Sequence, residues 1–429
     1  MEARVHQQNP IRFEPEDAAL ADALFAHLRI ESLDPPGVTR ASYGAGERMA
    51  HDLARATAER LQLEISTDFA GNLYMTLPGC DRSAPSVMIG SHMDSVPHGG
   101  NYDGAAGVVA GLIAQARLRR QGRTPKADIT VMAIRAEELS WFPAHYIGSR
   151  AAFGRLPPEA LDVVRFDTGR SLREHLHEEG FDAQAVHDGR RHLDPARIGT
   201  YLELHIEQGP ALVDAQKACG IVTAIRGNLR FKHARVLGQY GHAGAVPRAA
   251  RRDALFAATE FASRLEALWL EQERAGHDLV CTVGQFFTDS AVHTMTKIPG
   301  EVRFTMDIRS HDDAVLTGMQ AQLGALAAEI GERRKVLIDI GDPIRANAAV
   351  MDARLRTLLR QIATEQGIDA PDIASGAGHD CAVFSREDIP CAMIFVRNDH
   401  GSHNPDEAME IADFGEACRL LFGLLDQLA

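Results

Sequence analysis

The sequence has little of what several large enzyme classes depend on. Its six cysteines, Cys80, Cys219, Cys281, Cys381, Cys391 and Cys418, are widely spaced with no C-x-x-C pair. That excludes a thiolate metal cluster built on such pairs and reads as reduced structural thiols. There is no G-x-S-x-G elbow and no Walker loop, so serine-hydrolase and nucleotide-driven chemistry lack support. No apolar run is long enough to span a membrane, and the opening MEARVHQQNPIRFEPEDAAL is polar and acidic where a signal peptide would be basic and then apolar. Cytoplasmic residence is the expectation. Positive charge is the minority sign, with 45 Lys and Arg against 59 Asp and Glu and a net charge of -14. This argues against nucleic acid or an anionic membrane as partner. Low-complexity linkers and internal repeats are also missing.

What is present is ordinary for a soluble globular protein. A hydrophobic content of 45% over 429 residues is enough for two domains with substantial cores. The first half alternates buried-strand and helix patterns: Ser86 to His92, a helix to about Arg120, then Ile129 to Ile134. Such a βαβ rhythm predicts a mainly parallel sheet covered by helices. From about Gly220 the texture changes. Strand patterns at Ile221 to Ile225, Leu229 to Leu237, Leu279 to Phe287 and Val302 to Ile308 surround long helical patterns at Arg251 to Arg274 and Asp312 to Arg333. The rhythm returns after Val336 to Ile340, with a helix at Met351 to Glu365 and a strand at Cys391 to Val396. The expected fold is therefore α/β, with a catalytic domain from residues 1-219 and 341-429 and an inserted α+β lid at residues 220-340.

The candidate chemistry lies where strands end. GSHMDSVPHGGNYDG follows a buried strand and places His92, Asp94 and Asp103 around a turn, with Asp103 at the expected N-cap of the next helix. Alone, this also reads as a hydrogen-bonded loop pair and a cap. Glu137 and Glu138 follow the next strand, His205 in HIEQG ends a third, and His403 in GSHNPDE follows a fourth. Each has a bland reading as a strand-end or loop residue, but their shared position on one sheet edge makes separate accidents improbable. His92, Asp103, Glu138, His205 and His403 exceed the needs of one tetrahedral catalytic zinc and suit two ions bridged by a carboxylate. With no thiolate, zinc is favoured, and manganese, cobalt or nickel are compatible.

In its ordered motifs, GSHMDSVPHGGNYDG, AEE, HIEQGPAL, GHAGAVPRAARRDAL, FTMDIRS, SGAGHD and GSHNPDE, the chain resembles the amidase/hydantoinase/carbamoylase branch of the di-zinc aminoacylase and carboxypeptidase superfamily. That branch includes N-carbamoyl-L-amino acid hydrolases, β-ureidopropionases and allantoate amidohydrolases. The resemblance implies that His92 and His205 bind one metal, Glu138 and His403 the other, and Asp103 bridges them. Asp94 would orient His92, and Glu137 would be the general base. From the lid, His242 would donate to the oxyanion and Arg309 would bind a substrate carboxylate. Gln208, Gly376, Gly378 and Thr296 would line the substrate, with His379 and Asp380 either supporting the site or touching the ligand. The resemblance also implies a homodimer formed through the lid, with His242 reaching a neighbouring subunit's site.

Three departures bear on the substrate. Leu139 and Trp141 stand where relatives often have a small residue and a cation, Thr296 stands where an Asn is often found, and Val396-Arg397-Asn398-Asp399-His400-Gly401 replaces a Val-Pro-Ser type of approach to His403. The expected activity is hydrolysis of a non-peptide C-N bond in a small carboxylate-bearing amide or ureide, with an N-carbamoyl-L-amino acid favoured. Allantoate hydrolysis and N-acyl amino acid or dipeptide hydrolysis on the same scaffold are the enzymatic alternatives. A non-catalytic dimeric binding protein is the rival from another class, and the complete set of ligands and base weighs against it.

Overall fold

The computed structural model describes residues 11-428, so half of the polar, acidic stretch MEARVHQQNPIRFEPEDAAL lies outside the described residues. The chain forms two compact units, one from the residues up to Thr223 and from Met351 onward, the other Ala224–Val350. The first is built on four neighbouring parallel strands, in the order Cys391–Val396, Ile198–Ile206, Ser86–His92 and Ile129–Ile134. Three of the four are nearly continuous apolar runs, as expected for strands covered on both faces. Leu73–Leu77 and Glu64–Thr67 extend one side of the sheet antiparallel. The mainly parallel α/β expectation is borne out.

The helix Ala105–Arg120 is buried at every position from Ala105 to Leu118, so it lies inside the layer structure and shows no polar face until its last turn. It comes very close to the sheet. A Cβ on Gly107 would stand 2.4 Å from the Leu204 carbonyl oxygen, so the small residue sets the depth of packing. The strand order reverses direction at Ser86–His92, whose successor in sequence lies on one side and Ile198–Ile206 on the other. Open α/β sheets place ligands beyond the C-terminal strand ends at such a switch point.

In the second unit an antiparallel sheet runs Val280–Thr288, Glu301–Ser310, Gly227–Leu237 and Leu337–Asp339, with Ile344–Ala346 also on Gly227–Leu237. Val302, Phe304, Met306 and Ile308 alternate inward and pack with residues of the helices Ala254–Arg274 and Asp313–Arg334. One strand differs from its expected place. Cys219–Ile225, read as part of the insertion, pairs antiparallel with Cys391–Val396 in the catalytic sheet. The chain accordingly divides after Thr223 and rejoins at Met351, beyond the changes of sequence texture at 219/220 and 340/341.

Candidate metal centre

His92 is the last residue of its strand, and its ring is nearly fully buried. Nδ1 lies 3.1 Å from the Asp94 main-chain oxygen and 3.3 Å from Asp94 Oδ1, so this nitrogen carries a hydrogen and Nε2 presents its lone pair. His205 repeats the arrangement, with Nδ1 2.9 Å from the Ile206 carbonyl oxygen. The two Nε2 atoms approach to 3.5 Å, and each lies 3.3 Å from Asp103 Oδ1. Among the described residues, none donates a hydrogen bond to that buried oxygen. The Gly104 amide donates to His205 Nε2 at 3.2 Å, and a proton or a cation among the three atoms would offset the remaining repulsion.

The other carboxylate oxygen of Asp103 faces a second group. Oδ2 lies 3.5 Å from His403 Nε2, which is 3.4 Å from Glu138 Oε1. The structure thus groups His92, Asp103 and His205, and separately Asp103, Glu138 and His403, with ligand atoms in each group within 4.8 Å of one another. Nitrogen and oxygen donors sharing one carboxylate fit a pair of divalent ions of the zinc, manganese or cobalt kind.

Asp103 is not the N-cap expected of it. Gly104 takes that place at φ 66 and ψ -50, and the Ala105 amide donates to the Asp103 carbonyl at 2.7 Å. This is the rare γ-turn with positive φ. A Cβ at Gly104 would lie 2.5 Å from the His92 ring, so glycine is required both by the backbone and by the imidazole packed on it. The turn frees the Asp103 side chain from capping and directs it between the histidines.

Glu137 and Glu138 leave their strand through Ala136 at φ 53, a conformation unusual for a residue with a side chain. Their amides donate to the two oxygens of Asp94 at 3.1 Å each, and Ser42 Oγ donates to the same carboxylate at 2.6 Å. Glu137 is half-buried, beside His92 and Glu138. Burial lifts its carboxyl well above the usual range; His92 opposes the shift, while Glu138, Asp380 and Asp94 add to it. Burial pushes His92 down, but its pairing with Asp103 and Asp94 more than reverses this and holds the ring well above the usual imidazole range. Asp103 is destabilised by burial and nevertheless held well below the carboxylate range by His205 and His92.

The other expected residues fall into two places. In the catalytic unit, Gln208 Nε2 donates to Asp103 Oδ2 at 2.7 Å, so its amide rests on the candidate bridge. His379 stacks edge-on over His205 at 4.5 Å, and its ring is held by Ser375 Oγ at 2.8 Å. Asp380 accepts from Ser149 Oγ at 2.6 Å. Gly376 and Gly378 lie in the connection before helix Cys381–Arg386, where a Cβ on Gly378 would meet the Tyr146 hydroxyl at 2.0 Å. Trp141 is buried and donates its indole N-H to the Ser95 carbonyl at 2.7 Å, so this departure is a core residue; Leu139 is exposed.

In the second unit, His242 Nδ1 accepts the amides of Gly244 and Ala245 at 3.1 and 3.2 Å. Its Nε2 therefore carries the hydrogen and is a donor. The Ala243 amide donates to the Thr296 carbonyl at 2.9 Å, which sets Thr296 beside His242. Arg309 holds Asp307 through Nε at 3.1 Å and Nη2 at 2.7 Å.

Several supporting residues had no role in the sequence reading. Ser402 and Glu407 sit within the GSHNPDE motif. Ser402 Oγ lies between Asp103 Oδ2 and Glu407, 3.0 Å from the latter, and its one hydrogen can be donated to either carboxylate, while Glu407 accepts the Tyr102 amide at 2.8 Å. Asn398 explains part of the unusual approach to His403, since it accepts the Gln208 amide at 2.9 Å and donates to the Gly401 carbonyl at 2.6 Å. Ser42 and Glu47 lie in no recognised motif, and nothing in their local sequence marked them.

The profile of peptidase family M20/M25/M40 matches residues 88–427. The N-carbamoyl-L-amino acid amidohydrolase of Geobacillus stearothermophilus is 34% identical over 92% of this chain and 94% of its own length. The allantoate amidohydrolase of Bacillus subtilis is 31% identical over 92% and 93%. The crystal structure of a hydantoinase/carbamoylase family amidase from Burkholderia ambifaria superposes with a TM-score of 0.86 at 29% identity, covering 98% of this chain and 97% of the other. The chain belongs to the M20/M25/M40 family, and its relatives lie in the hydantoinase/carbamoylase branch that the ordered motifs pointed to.

Proposed function

We propose that this chain is a metal-dependent amidohydrolase that cleaves a non-peptide C-N bond in a small carboxylate-bearing ureido or N-acyl substrate, with N-carbamoyl-L-amino acids the favoured class. The observation that carries this reading is Asp103 Oδ1, which accepts no hydrogen bond from the described residues and lies between the Nε2 atoms of His92 and His205, with Oδ2 turned to His403 beside Glu138. His92 and His205 would hold one ion, Glu138 and His403 the second, and Asp103 both. These residues would hold two divalent ions, zinc by preference, and the ions would supply Lewis-acid polarisation and a water acidic enough to be deprotonated near neutral pH.

Glu137 is the general base, half-buried against the ligand group. It takes a proton from the attacking water and returns one to the departing nitrogen. His242 presents an Nε2 hydrogen whose orientation is fixed by two main-chain donors on Nδ1, the form an oxyanion donor must have. Arg309 binds the substrate carboxylate, its guanidinium already oriented by Asp307. Gln208, Thr296, Gly376 and Gly378 complete the substrate contacts. The protein works as a cytoplasmic homodimer joined through the second unit.

The test is a panel of ureido, formyl, acetyl and dipeptidyl acids given to metal-loaded protein, reading ammonia and free amine. Both products from an N-carbamoyl-L-amino acid, lost with a chelator and in Glu137→Gln, are expected. Undiminished turnover by rigorously metal-free protein would overturn the mechanism. Faster release of ammonia from allantoate would instead place this chain with the relative from Bacillus subtilis in substrate as well as fold.

A further inference from the structure

We infer that Glu47 is a positioning residue for Glu137: its buried carboxylate holds the left-handed turn at Ala136 from which the two adjacent glutamates leave the sheet. The inference rests on the proposed role of Glu137 as base. Glu47 belongs to the helix Ala45–Arg60, upstream of the region matched by the family profile, and is fully buried.

The backbone accounting singles out this turn. The strand ends at Ile134, and the next four amides, of Arg135, Ala136, Glu137 and Glu138, donate to side chains: Asn72 Oδ1 at 2.9 Å, Glu47 Oε1 at 2.8 Å, and the two oxygens of Asp94 at 3.1 Å each. A buried amide left without its acceptor is costly, so these side chains define the path of the turn. Ala136 is fully buried at φ 53, and its carbonyl accepts the Ile147 amide at 3.1 Å. Such a conformation persists only where the surroundings over-determine it. Glu47 supplies that constraint at the strained residue itself. Its second oxygen is anchored by the Tyr43 amide at 2.7 Å and by Arg135 Nη1 at 2.9 Å, so the carboxylate cannot follow Ala136 if the turn relaxes. A general base must sit within hydrogen-bond reach of the water it deprotonates, and a small rotation at Ala136 would swing Glu137 out of that range.

Glu47→Ala and Glu47→Gln in the full chain, loaded with zinc, separate positioning from bulk stability. Metal content, thermal midpoint, kcat and KM are measured for each. The expected result is retained metal, KM within threefold of the parent, and kcat lowered at least tenfold in Glu47→Ala. Glu47→Gln should lose less, because its amide oxygen can still accept the Ala136 amide. Adding Ala136→Gly to Glu47→Ala should recover part of kcat, since glycine takes positive φ without strain. A lower thermal midpoint with unchanged kcat per metal-loaded site would overturn the inference, as would a loss of kcat that tracks loss of metal. If Glu47→Ala does not fold, Glu47→Met, which keeps the volume of the side chain but removes the acceptor for the Ala136 amide, decides instead: kcat within twofold at full metal content refutes positioning. Glu137→Gln with Glu47 intact tests the base reading separately, so the two ideas fail on different proteins.

Discussion

Asp94 Oδ1 lies 3.3 Å from His92 Nδ1 while the same carboxylate receives the amides of Glu137 and Glu138, so one buried group ties a candidate ligand to the candidate base. Ser42 supplies a further donor. An asparagine would turn an N-H₂ group toward some of these donors and leave them unpaired, at a cost of about 1–3 kcal/mol each. Asp94→Asn is expected to weaken metal affinity roughly 10–100-fold, the usual effect of losing a carboxylate behind a ligand histidine, and to lower kcat in the metal-saturated protein. Competition against a chelator measures the first and saturation kinetics the second. Parent-like affinity would remove Asp94 from the metal centre.

Gly104→Ala should be severe for a reason visible in the backbone. The alanine Cβ would meet the His92 ring at 2.5 Å, and the γ-turn between Asp103 and Ala105 would have to be held at a positive φ that alanine resists. The backbone strain alone is about 1–3 kcal/mol, and moving the ring or the helix start adds to it. Reduced metal content together with a lower thermal midpoint is expected. Full metal occupancy with unchanged stability would show that the turn can open without disturbing His92.

The fold and the cluster of site residues were legible because buried parallel strands and strand-end polar residues leave strong local marks. SVMIGSH, ITVMAI and CAMIFV announce the sheet; His92 and His205 lie in the last two positions of their strands, and the Glu137-Glu138 pair and His403 follow the ends of two others. Three things were hidden for physical reasons. Asp103 was legible as a ligand, but the γ-turn at Gly104 that aims it was not, because a residue preceding an apolar helix also looks like its cap. Cys219–Ile225 looks like the start of the insertion because strand patterning does not name the partner strand. Glu47 reaches its turn across 89 residues of sequence, so no local pattern can reveal it.

Metal uptake should release protons. In the metal-free protein His403 is raised to about 9, chiefly by its pairing with Glu138 against an opposing effect of burial. Its raised pKa stabilises the metal-free fold fully below the unfolded value near 6.5, and that contribution disappears as pH rises through about 9. A metal ligand must be neutral imidazole, so binding at neutral pH expels this proton, and affinity should fall with decreasing pH. Calorimetric titration in buffers of different ionisation enthalpy is expected to show at least one proton released per ion pair bound at pH 7.5, with less release at pH 9.5. A buffer-independent heat at pH 7.5 would contradict the assignment of His403 as a ligand.

His242 offers the sharpest separation of binding from chemistry. Its Nδ1 is occupied by the Gly244 and Ala245 amides, leaving Nε2-H as a fixed donor on an exposed side chain outside the apolar core of its unit. A donor that strengthens only as negative charge develops on the substrate oxygen contributes to kcat and little to ground-state binding. His242→Ala is therefore expected to lower kcat roughly 10²–10³-fold, with KM and metal content near those of the parent. Thermal stability should change little, because no core packing is lost. A rise in KM at constant kcat would make His242 a substrate-binding residue, and parent-like values of both would remove it from the reaction.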